Sequence, residues 1–145
     1  LDLEIGRAQA QDRFCVAMTD LDGLKRVNDT YGHQAGAMVI REMGAVIKSV
    51  LRPQDRAGLF GGDETVILYP NTRLADAAEV AETLRSRIES RTFEHQVHSF
   101  QVTITQGIAE WPSHGKTAGE IIAAADKALY AAKAAGRNCT RTAKA

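Results

Sequence analysis

Two pairs of acidic residues are the part of this sequence best suited to chemistry. Asp20 and Asp22 follow a short apolar run, and because side chains alternate along a strand, both would point to one face while Leu21 offers its carbonyl oxygen. Asp63 and Glu64 follow two glycines in a predicted tight turn, from which an adjacent strand would deliver them to the same sheet edge. Up to four converging carboxylates would repel one another, so one or two divalent cations are their natural partners. Asp20 and Asp22 alone would be more typical of a solvated loop, and the second pair is what favours a metal site.

The chemistry that this pattern predicts is that of phosphate groups. Two Mg²⁺ ions would polarise a phosphate and activate an attacking hydroxyl, and such chemistry also needs cationic side chains. Lys25 follows the first acidic pair, and Lys133 and Arg137 lie four residues apart near the end of the last predicted helix. If that helix ends at Gly136, both basic side chains reach toward the sheet edge. Either of them taken alone is better explained as complementing the helix dipole in solvent.

The elements that must position these residues follow from the spacing of the apolar residues. Short runs rich in β-branched and aromatic residues predict strands, and apolar residues at steps of three and four predict helices. The predicted strands are Phe14–Met18, Gly58–Phe60, Val66–Tyr69, Val97–Val102 and Thr103–Ala109. The predicted helices lie over Val39–Leu51, Ala77–Ile88 and Ile121–Ala132. Residues 1–13 are predicted to form a helical lead-in. The order, roughly β-α-α-β-β-α-β-β-α with room for a terminal strand, predicts an α+β fold. Its antiparallel-rich central sheet is flanked by helices in a ferredoxin-like plan.

The composition is that of one ordinary globular domain without a visible linker. Its 145 residues carry 18 basic and 18 acidic side chains, and the zero net charge argues against a nucleic acid polymer as partner. Since no apolar run approaches the roughly 20 residues of a membrane-spanning helix, no membrane contact by this segment is expected. Two cysteines, Cys15 and Cys139, with no CxxC pair, favour a reducing cytoplasmic compartment.

Three motifs in a fixed order carry a resemblance to a known family. They are residues 19–33 (TDLDGLKRVNDTYGH), residues 61–64 (GGDE) and residues 125–138 (ADKALYAAKAAGRN). Together they closely resemble the GGDEF, or diguanylate cyclase, domain, here with a variant GGDET signature, over nearly the whole chain from Phe14. The resemblance implies a palm-like fold similar to class III nucleotidyl cyclases. It also implies a transferase that condenses two GTP molecules into the second messenger cyclic di-GMP with Mg²⁺ or Mn²⁺, each subunit of an active homodimer holding one GTP.

The resemblance further implies a role for each acidic residue and for the residues that bind nucleotide. Asp20 and Asp63 correspond to metal-binding carboxylates, assisted by the Leu21 carbonyl. Glu64 corresponds to a residue that supports the second metal or the deprotonation of the attacking 3′-hydroxyl. Asn28 corresponds to the amide that binds the guanine edge. The basic residues that correspond to triphosphate contacts are Lys25, Lys133 and Arg137.

An inhibitory site is implied by a fourth motif. Arg52-Pro53-Gln54-Asp55 matches the RxxD motif of the family, which lies five residues before the first glycine of the signature. An arginine can bind a phosphate or stack on a guanine, so capture of cyclic di-GMP there, with allosteric inhibition, is physically sensible. The alternative is a salt bridge at a helix end worth about 0–1 kcal/mol.

Three positions depart from the family pattern. Ala37 stands where an aspartate usually grips guanine, Leu59 where an arginine is usual, and Thr65 where the signature has phenylalanine. An active cyclase, a degenerate receptor for cyclic di-GMP or GTP, a cyclase with relaxed base selectivity and a pure dimerisation module are the hypotheses that remain. The opening motif of the family is not recognisable before Phe14, which suggests the output module of a longer sensor protein and leaves membrane anchoring of that protein open.

Overall fold

The computed structural model describes residues 13–61 and 63–144 and confirms the α+β class. Its central sheet has five strands, which are β1 (Phe14–Asp22), β2 (Arg56–Gly61), β3 (Glu64–Pro70), β6 (Thr103–Trp111) and β7 (Thr140–Thr142). Their order in the sheet is β2-β3-β1-β6-β7, and all neighbours are antiparallel except β6 and β7. The predicted helical lead-in lies outside the described residues apart from Arg13, which belongs to no helix or strand.

The described residues form four helices. They are α1 (Leu24–Tyr31), α2 (His33–Val50), α3 (Leu74–Ser90) and α4 (Ala118–Ala134). The helices predicted within α2, α3 and α4 are confirmed, and each is longer than its apolar stripe because the stripe marks only the inward-facing turns. Helix α2 ends at Val50, where Leu51 takes an extended conformation shortly before Pro53.

Strand β1 lies in the middle of the sheet and is buried on both faces. Cys15 and Ala17 belong to the core that α2 and α3 cover, whereas Val16 and Met18 belong to a second core under α4. A strand enclosed in this way reads as a continuous apolar run, which is how the sequence predicted it. Because alternate residues share a face, Asp20 continues the row of Val16 and Met18 toward α4.

A separate two-stranded sheet corrects one prediction. The sequence predicted a single strand over Val97–Val102, but only His98–Phe100 forms strand β5, and it pairs with β4 (Phe93–His95), which was not predicted. Residues 96–97 form the tight turn between the two strands, so the chain reverses where the apolar pattern suggested that it continues.

The chain turns back sharply after α4. The helix ends at Ala134, two residues before the predicted end at Gly136. Gly136, Arg137 and Asn138 then have positive φ values of 119°, 64° and 46°. This left-handed run directs the chain into β7, which lies parallel to β6 and confirms the predicted terminal strand.

Candidate functional site

The candidate site begins with two carboxylates on neighbouring strands. Asp20 on β1 and Glu64 on β3 lie directly opposite each other in the antiparallel register. Such opposed residues have Cβ atoms about 4.5–5.5 Å apart. Asp20 is buried and Glu64 is half-buried. Burial, and next the charge of Asp20, raise the pKa of the Glu64 carboxyl above its usual range. The structure therefore brings one residue of each acidic motif together.

Lys133 supplies a positive charge to this pair from the last turn of α4. Its Nζ lies 2.5 Å from Asp20 Oδ2. The hydrogen bond to Asp20 raises the pKa of Lys133, and the charge of Glu64 contributes. The other carboxylate oxygen, Asp20 Oδ1, is buried and has no hydrogen-bond partner within residues 13–61 and 63–144. Half of the Asp20 carboxylate is thus left for a ligand.

The residues around Asp20 Oδ1 fit a hard cation. A buried oxygen without a partner is costly, and carboxylate oxygens are the ligands that Mg²⁺ prefers. Asp63 is half-buried in the hairpin between β2 and β3, and its carbonyl oxygen accepts a hydrogen bond from the Leu21 N–H at 3.3 Å. This bond joins the two acidic segments through their backbones.

The predicted convergence of four carboxylates is not formed. In the part of the chain that the structure describes, no group of three or more His, Cys, Asp or Glu side chains is placed to hold a metal ion. Asp22 does not join Asp20 and Glu64: it accepts hydrogen bonds from the hydroxyls of Thr103 and Thr105, both at 2.8 Å, and from the Asn138 N–H at 3.2 Å. Asp22 therefore joins β1 to β6 and to the turn after α4.

Arg137 lies beside Asp22 rather than beside Asp20. Its Nη1 is 3.8 Å from Asp22 Oδ1, and the residue is largely exposed. The two basic residues therefore lie beside different carboxylates: the half-buried Lys133 contacts Asp20, and the exposed Arg137 lies near Asp22.

Helices α1 and α2 carry Lys25, predicted to contact the triphosphate, Asn28, predicted to bind the guanine edge, and Ala37. Lys25 is exposed in the first turn of α1, and Asn28 is half-buried one turn later. The Asn28 carboxamide lies so close to Gly36 of α2 that a Cβ atom there would be 1.8 Å from Asn28 Oδ1. Ala37, the next residue of α2, is exposed and its methyl group accepts no hydrogen bond. The helix junction therefore offers one amide and no carboxylate at these positions.

The β4–β5 hairpin fixes the end of α1. Tyr31, the last residue of this helix, stacks on Phe100 with ring centroids 4.5 Å apart and planes 11° apart, and its ring lies 5.1 Å from that of His98. The hairpin that the sequence did not predict therefore helps to place the helix that carries Asn28.

Arg52 and Asp55 form an ion pair in the loop between α2 and β2. Arg52 donates from Nε to Asp55 Oδ2 at 3.0 Å, from Nη2 to Oδ1 at 2.9 Å and from its backbone N–H to Oδ2 at 2.8 Å. Arg52 Nη2 also donates to Thr72 Oγ1 at 2.7 Å. The Asp55 side chain is fully buried and that of Arg52 is 33% exposed. The salt bridge that the sequence left as the alternative is therefore formed, with more hydrogen bonds and deeper burial of the carboxylate than an exposed surface pair has.

An apolar groove of about 610 Å³ extends from this loop between α2 and β2. Its lining includes Ile40, Met43, Ile47 and Leu51. Leu59 and Thr65 pair across β2 and β3 at its far end, where Leu59 is 75% exposed. Leu59 and Thr65, two of the three residues that depart from the family pattern, therefore both line this groove.

Comparison with known proteins identifies the family. The family model described as "Diguanylate cyclase, GGDEF domain" matches residues 1–139. The chain is a GGDEF domain. Among solved structures, the GGDEF domain of DgcB from Caulobacter crescentus in complex with c-di-GMP is 32% identical to this GGDEF domain, with a TM-score of 0.92 over 100% of this chain and 86% of that chain. The palm fold implied by the resemblance is confirmed.

Curated relatives carry the same domain within longer chains. Diguanylate cyclase A of Treponema denticola is 36% identical over 90% of this chain and 35% of its own length. The response regulator PleD of Caulobacter vibrioides is 36% identical over 88% of this chain and 28% of its own length. The GGDEF domain thus spans about a third of these relatives. No helix within residues 13–61 and 63–144 is long and apolar enough to span a bilayer.

Sequence analysis missed one carboxylate near the site. Asp126 is exposed on α4, and its charge also raises the pKa of Glu64. The signal was present in the spacing, because Asp126 precedes Lys133 by seven residues and two helical turns return to the same face.

Proposed function

We propose that this GGDEF domain condenses two GTP molecules into cyclic di-GMP and releases two pyrophosphates. The observation that carries the proposal is the pair formed by Asp20 and Glu64, with Lys133 on one oxygen of Asp20. The other oxygen is buried and has no partner among the residues that the structure describes. Opposed carboxylates are destabilising in a sheet, so their presence at a strand end favours a cationic ligand, and Lys133 beside them adds a positive charge that a phosphate can contact.

The proposed cofactor is Mg²⁺ or Mn²⁺. Asp20, Asp63, Glu64 and the Leu21 carbonyl would hold it, and when bound it would offset the charge of the triphosphate and make the attacking hydroxyl more acidic.

The protein side chains have separate roles in this proposal. Lys133 and Arg137, together with Lys25, bind the triphosphate and orient it. A carboxylate oxygen of Glu64 accepts the proton of the 3′-hydroxyl of one GTP. The hydroxyl oxygen attacks the α-phosphorus of the other GTP, and pyrophosphate leaves. Asn28 binds the guanine edge.

The proposed active species is a homodimer. One domain holds one nucleotide, and two phosphodiester bonds must form between two nucleotides. Bringing two such half-sites together turns an encounter in solution into a reaction within one complex, which is the main catalytic resource of this arrangement.

Product binding is proposed at Arg52 and Asp55. The exposed third of Arg52 and the apolar groove beside it offer a cation and a surface for a base, which is the chemistry of cyclic di-GMP. Inhibition by product would follow if binding there prevents the two half-sites from meeting.

The proposed setting is the cytoplasm, where the domain is the output module of a longer signalling protein. The support is that the curated relatives extend well beyond the matched region. Whether that longer protein is anchored in a membrane depends on segments outside this sequence.

A second candidate function is favoured by Ala37. Guanine presents two adjacent N–H donors that a carboxylate accepts as a pair, and the exposed alanine cannot do so. Relaxed selectivity between GTP and ATP, or a receptor that binds nucleotide or cyclic di-GMP without turnover, would follow. Losing a charged hydrogen bond typically costs about 1.5–3 kcal/mol, so guanine would be held more weakly.

The experiment that tests the function is incubation of the protein with Mg²⁺ and GTP, ATP or both, with products identified by mass spectrometry. Cyclic di-GMP from wild type and none from Glu64→Gln is the result expected of a cyclase. Mixed or adenine-containing products would favour relaxed selectivity, which Ala37→Asp should reverse. Nucleotide binding without any cyclic product would favour the receptor.

A further inference from the structure

Arg85 of α3 forms a hydrogen-bond network with two glutamates of its own helix and with Asn138. Its Nε donates to Glu82 Oε1 and Oε2, each at 2.9 Å, and its Nη1 contacts Glu89 Oε1 at 3.3 Å. The same Nη1 donates to Asn138 Oδ1 at 2.8 Å. Only 15% of the Arg85 side chain is exposed, and its bonds to Glu82 lower the pKa of that carboxyl. The guanidinium is therefore held in one orientation from three sides.

Asn138 connects this network to the turn after α4. Its Nδ2 donates to Glu89 Oε2, so both ends of the carboxamide are bound to α3. Its backbone N–H lies within hydrogen-bond distance of Asp22 Oδ2 at 3.2 Å and Thr105 Oγ1 at 3.0 Å. One residue thus links α3 to the strand ends beside the site.

The backbone at this point needs such support. Arg137 and Asn138 both have positive φ values, 64° and 46°, and a left-handed conformation at a non-glycine residue is strained. Asparagine tolerates this conformation better than arginine does. Arg137 Nη1 lies 3.8 Å from Asp22 Oδ1. Because Asn138 is the next residue of the turn, the position of the Arg137 side chain depends on how firmly Asn138 is held.

We propose that Arg85 is a positioning residue that sets the place of Arg137 in the site through the side chain of Asn138. This inference rests on the proposed function only in that Arg137 is taken to bind the triphosphate. Arg85 touches no reacting group and would act by keeping the left-handed turn in one conformation. A residue of α3 would then influence how tightly the nucleotide phosphates are bound.

The test combines two variants with a matched control. Arg85→Met removes the guanidinium, and Asn138→Gly removes the carboxamide while it keeps both the backbone N–H and a residue suited to the positive φ. Arg87→Met is the control, since Arg87 is exposed on the same helix two residues away. The measurements are hydrogen exchange of the Asn138 N–H by NMR and the dissociation constant of GTP by titration calorimetry, with the melting temperature recorded for each variant.

In both variants, the hydrogen-exchange rate of the backbone N–H at position 138 and the GTP dissociation constant are each expected to rise about tenfold, as loss of one charge-assisted contact would produce. Arg87→Met should change neither. If Arg85 acts through Arg137, adding Arg85→Met to Arg137→Ala should weaken GTP binding no further.

Two results would overturn the proposal. One is an unchanged GTP dissociation constant in folded Arg85→Met, even with a lower melting temperature, because that is the outcome of a purely structural role. The other is additive losses in the double variant. If the wild-type protein has no affinity for GTP, the proposed function fails instead, and the exchange of the Asn138 N–H decides about Arg85: faster exchange supports positioning and unchanged exchange overturns it.

Discussion

At the scale of single residues, this site combines the repulsion between two carboxylates with the attraction of one of them to a lysine. Asp20 faces Glu64 across two strands, and Lys133 contacts one oxygen of Asp20. Opposed like charges destabilise a sheet by a few tenths of a kcal/mol to about 1 kcal/mol. The site residues are thus expected to contribute to chemistry at some expense of stability.

Neutralising Glu64 should therefore leave the fold as stable or make it more stable. Burial and Asp20 raise the pKa of Glu64, so this carboxyl stabilises the folded state below its ordinary pKa of 4.5 and loses that contribution as the pH rises through the raised value. We expect Glu64→Gln to raise the free energy of unfolding at pH 7 by about 0.2–1 kcal/mol without metal, and to gain nothing at pH 4. Thermal melts at both pH values measure this, with Glu79→Gln on the exposed face of α3 as the control. A clear loss of stability at pH 7 would contradict the account of the pair.

Gly36 should affect nucleotide binding through Asn28. A Cβ atom at Gly36 would lie 1.8 Å from Asn28 Oδ1, and the carboxamide can move away because it ends a flexible side chain. We expect Gly36→Ala to raise the GTP dissociation constant about threefold to tenfold, the value of one hydrogen bond, with little change in melting temperature.

Gly44→Ala on the same helix is the matched control for Gly36→Ala. Nothing lies within 4 Å of a Cβ there, so this change should leave GTP binding intact and stabilise the helix by roughly 0.5–1 kcal/mol. Equal GTP affinities of Gly36→Ala and wild type in titration calorimetry would show that Asn28 does not read the base.

Elements hold these residues in place through close packing of α4 on the sheet. Gly107 of β6 lies under α4, where a Cβ atom would be 2.1 Å from the Leu129 nitrogen and 2.3 Å from the Ala125 carbonyl oxygen. These neighbours are backbone atoms of a packed helix and cannot rotate away. The approach of α4 to β6 is what brings Lys133 to the end of β1.

Gly107→Ala should accordingly separate the helix from the sheet. Overpacking of this kind costs roughly 1–3 kcal/mol, so the melting temperature should fall by about 3–10 °C. Gly119→Ala in the first turn of α4 is the control, because a Cβ there meets only Thr117 Oγ1 at 4.0 Å. A melting temperature of Gly107→Ala that matches the control would mean that the close approach is not tight in solution.

Arg52, in the loop between α2 and β2, should affect both the affinity for cyclic di-GMP and the stability of the fold, and a second substitution separates the two effects. Arg52→Ala should weaken cyclic di-GMP binding, but it also leaves the fully buried Asp55 carboxylate without its guanidinium, at a cost of about 1–3 kcal/mol. We expect Arg52→Ala with Asp55→Asn to recover part of the melting temperature while the affinity for cyclic di-GMP stays low. Calorimetric affinities of both variants equal to wild type would exclude the loop as the product site.

Much of the element order could be predicted from sequence, and the failures have physical causes. The stripe within α2 and the apolar run of β1 predicted their elements because each buries a face whose period is visible in the sequence. The β4–β5 hairpin was missed because strands of three residues are too short to show a period. The role of Asp22 was missed because its partners Thr103 and Asn138 lie 81 and 116 residues away, and only the fold brings them close.

At the scale of the whole chain, this is a GGDEF domain that spans about a third of the length of diguanylate cyclase A and PleD. Its site lies where strands β1 and β3 meet at one end of the sheet. In our proposal each domain contributes half of the complete active site. A single domain should then bind one GTP and be inactive alone. Its activity becomes a property of association, which is how the rest of a longer protein could control it.

The dependence of the rate on protein concentration, with GTP and Mg²⁺ in excess, tests the central claim most directly when cyclic di-GMP and pyrophosphate are both quantified. The account predicts two pyrophosphates for each cyclic di-GMP and, over the concentration range in which sedimentation shows monomers, a rate that rises with the square of the protein concentration. Formation of cyclic di-GMP in strict proportion to protein throughout that range, or the absence of any cyclic dinucleotide at concentrations where the protein is dimeric, would contradict it.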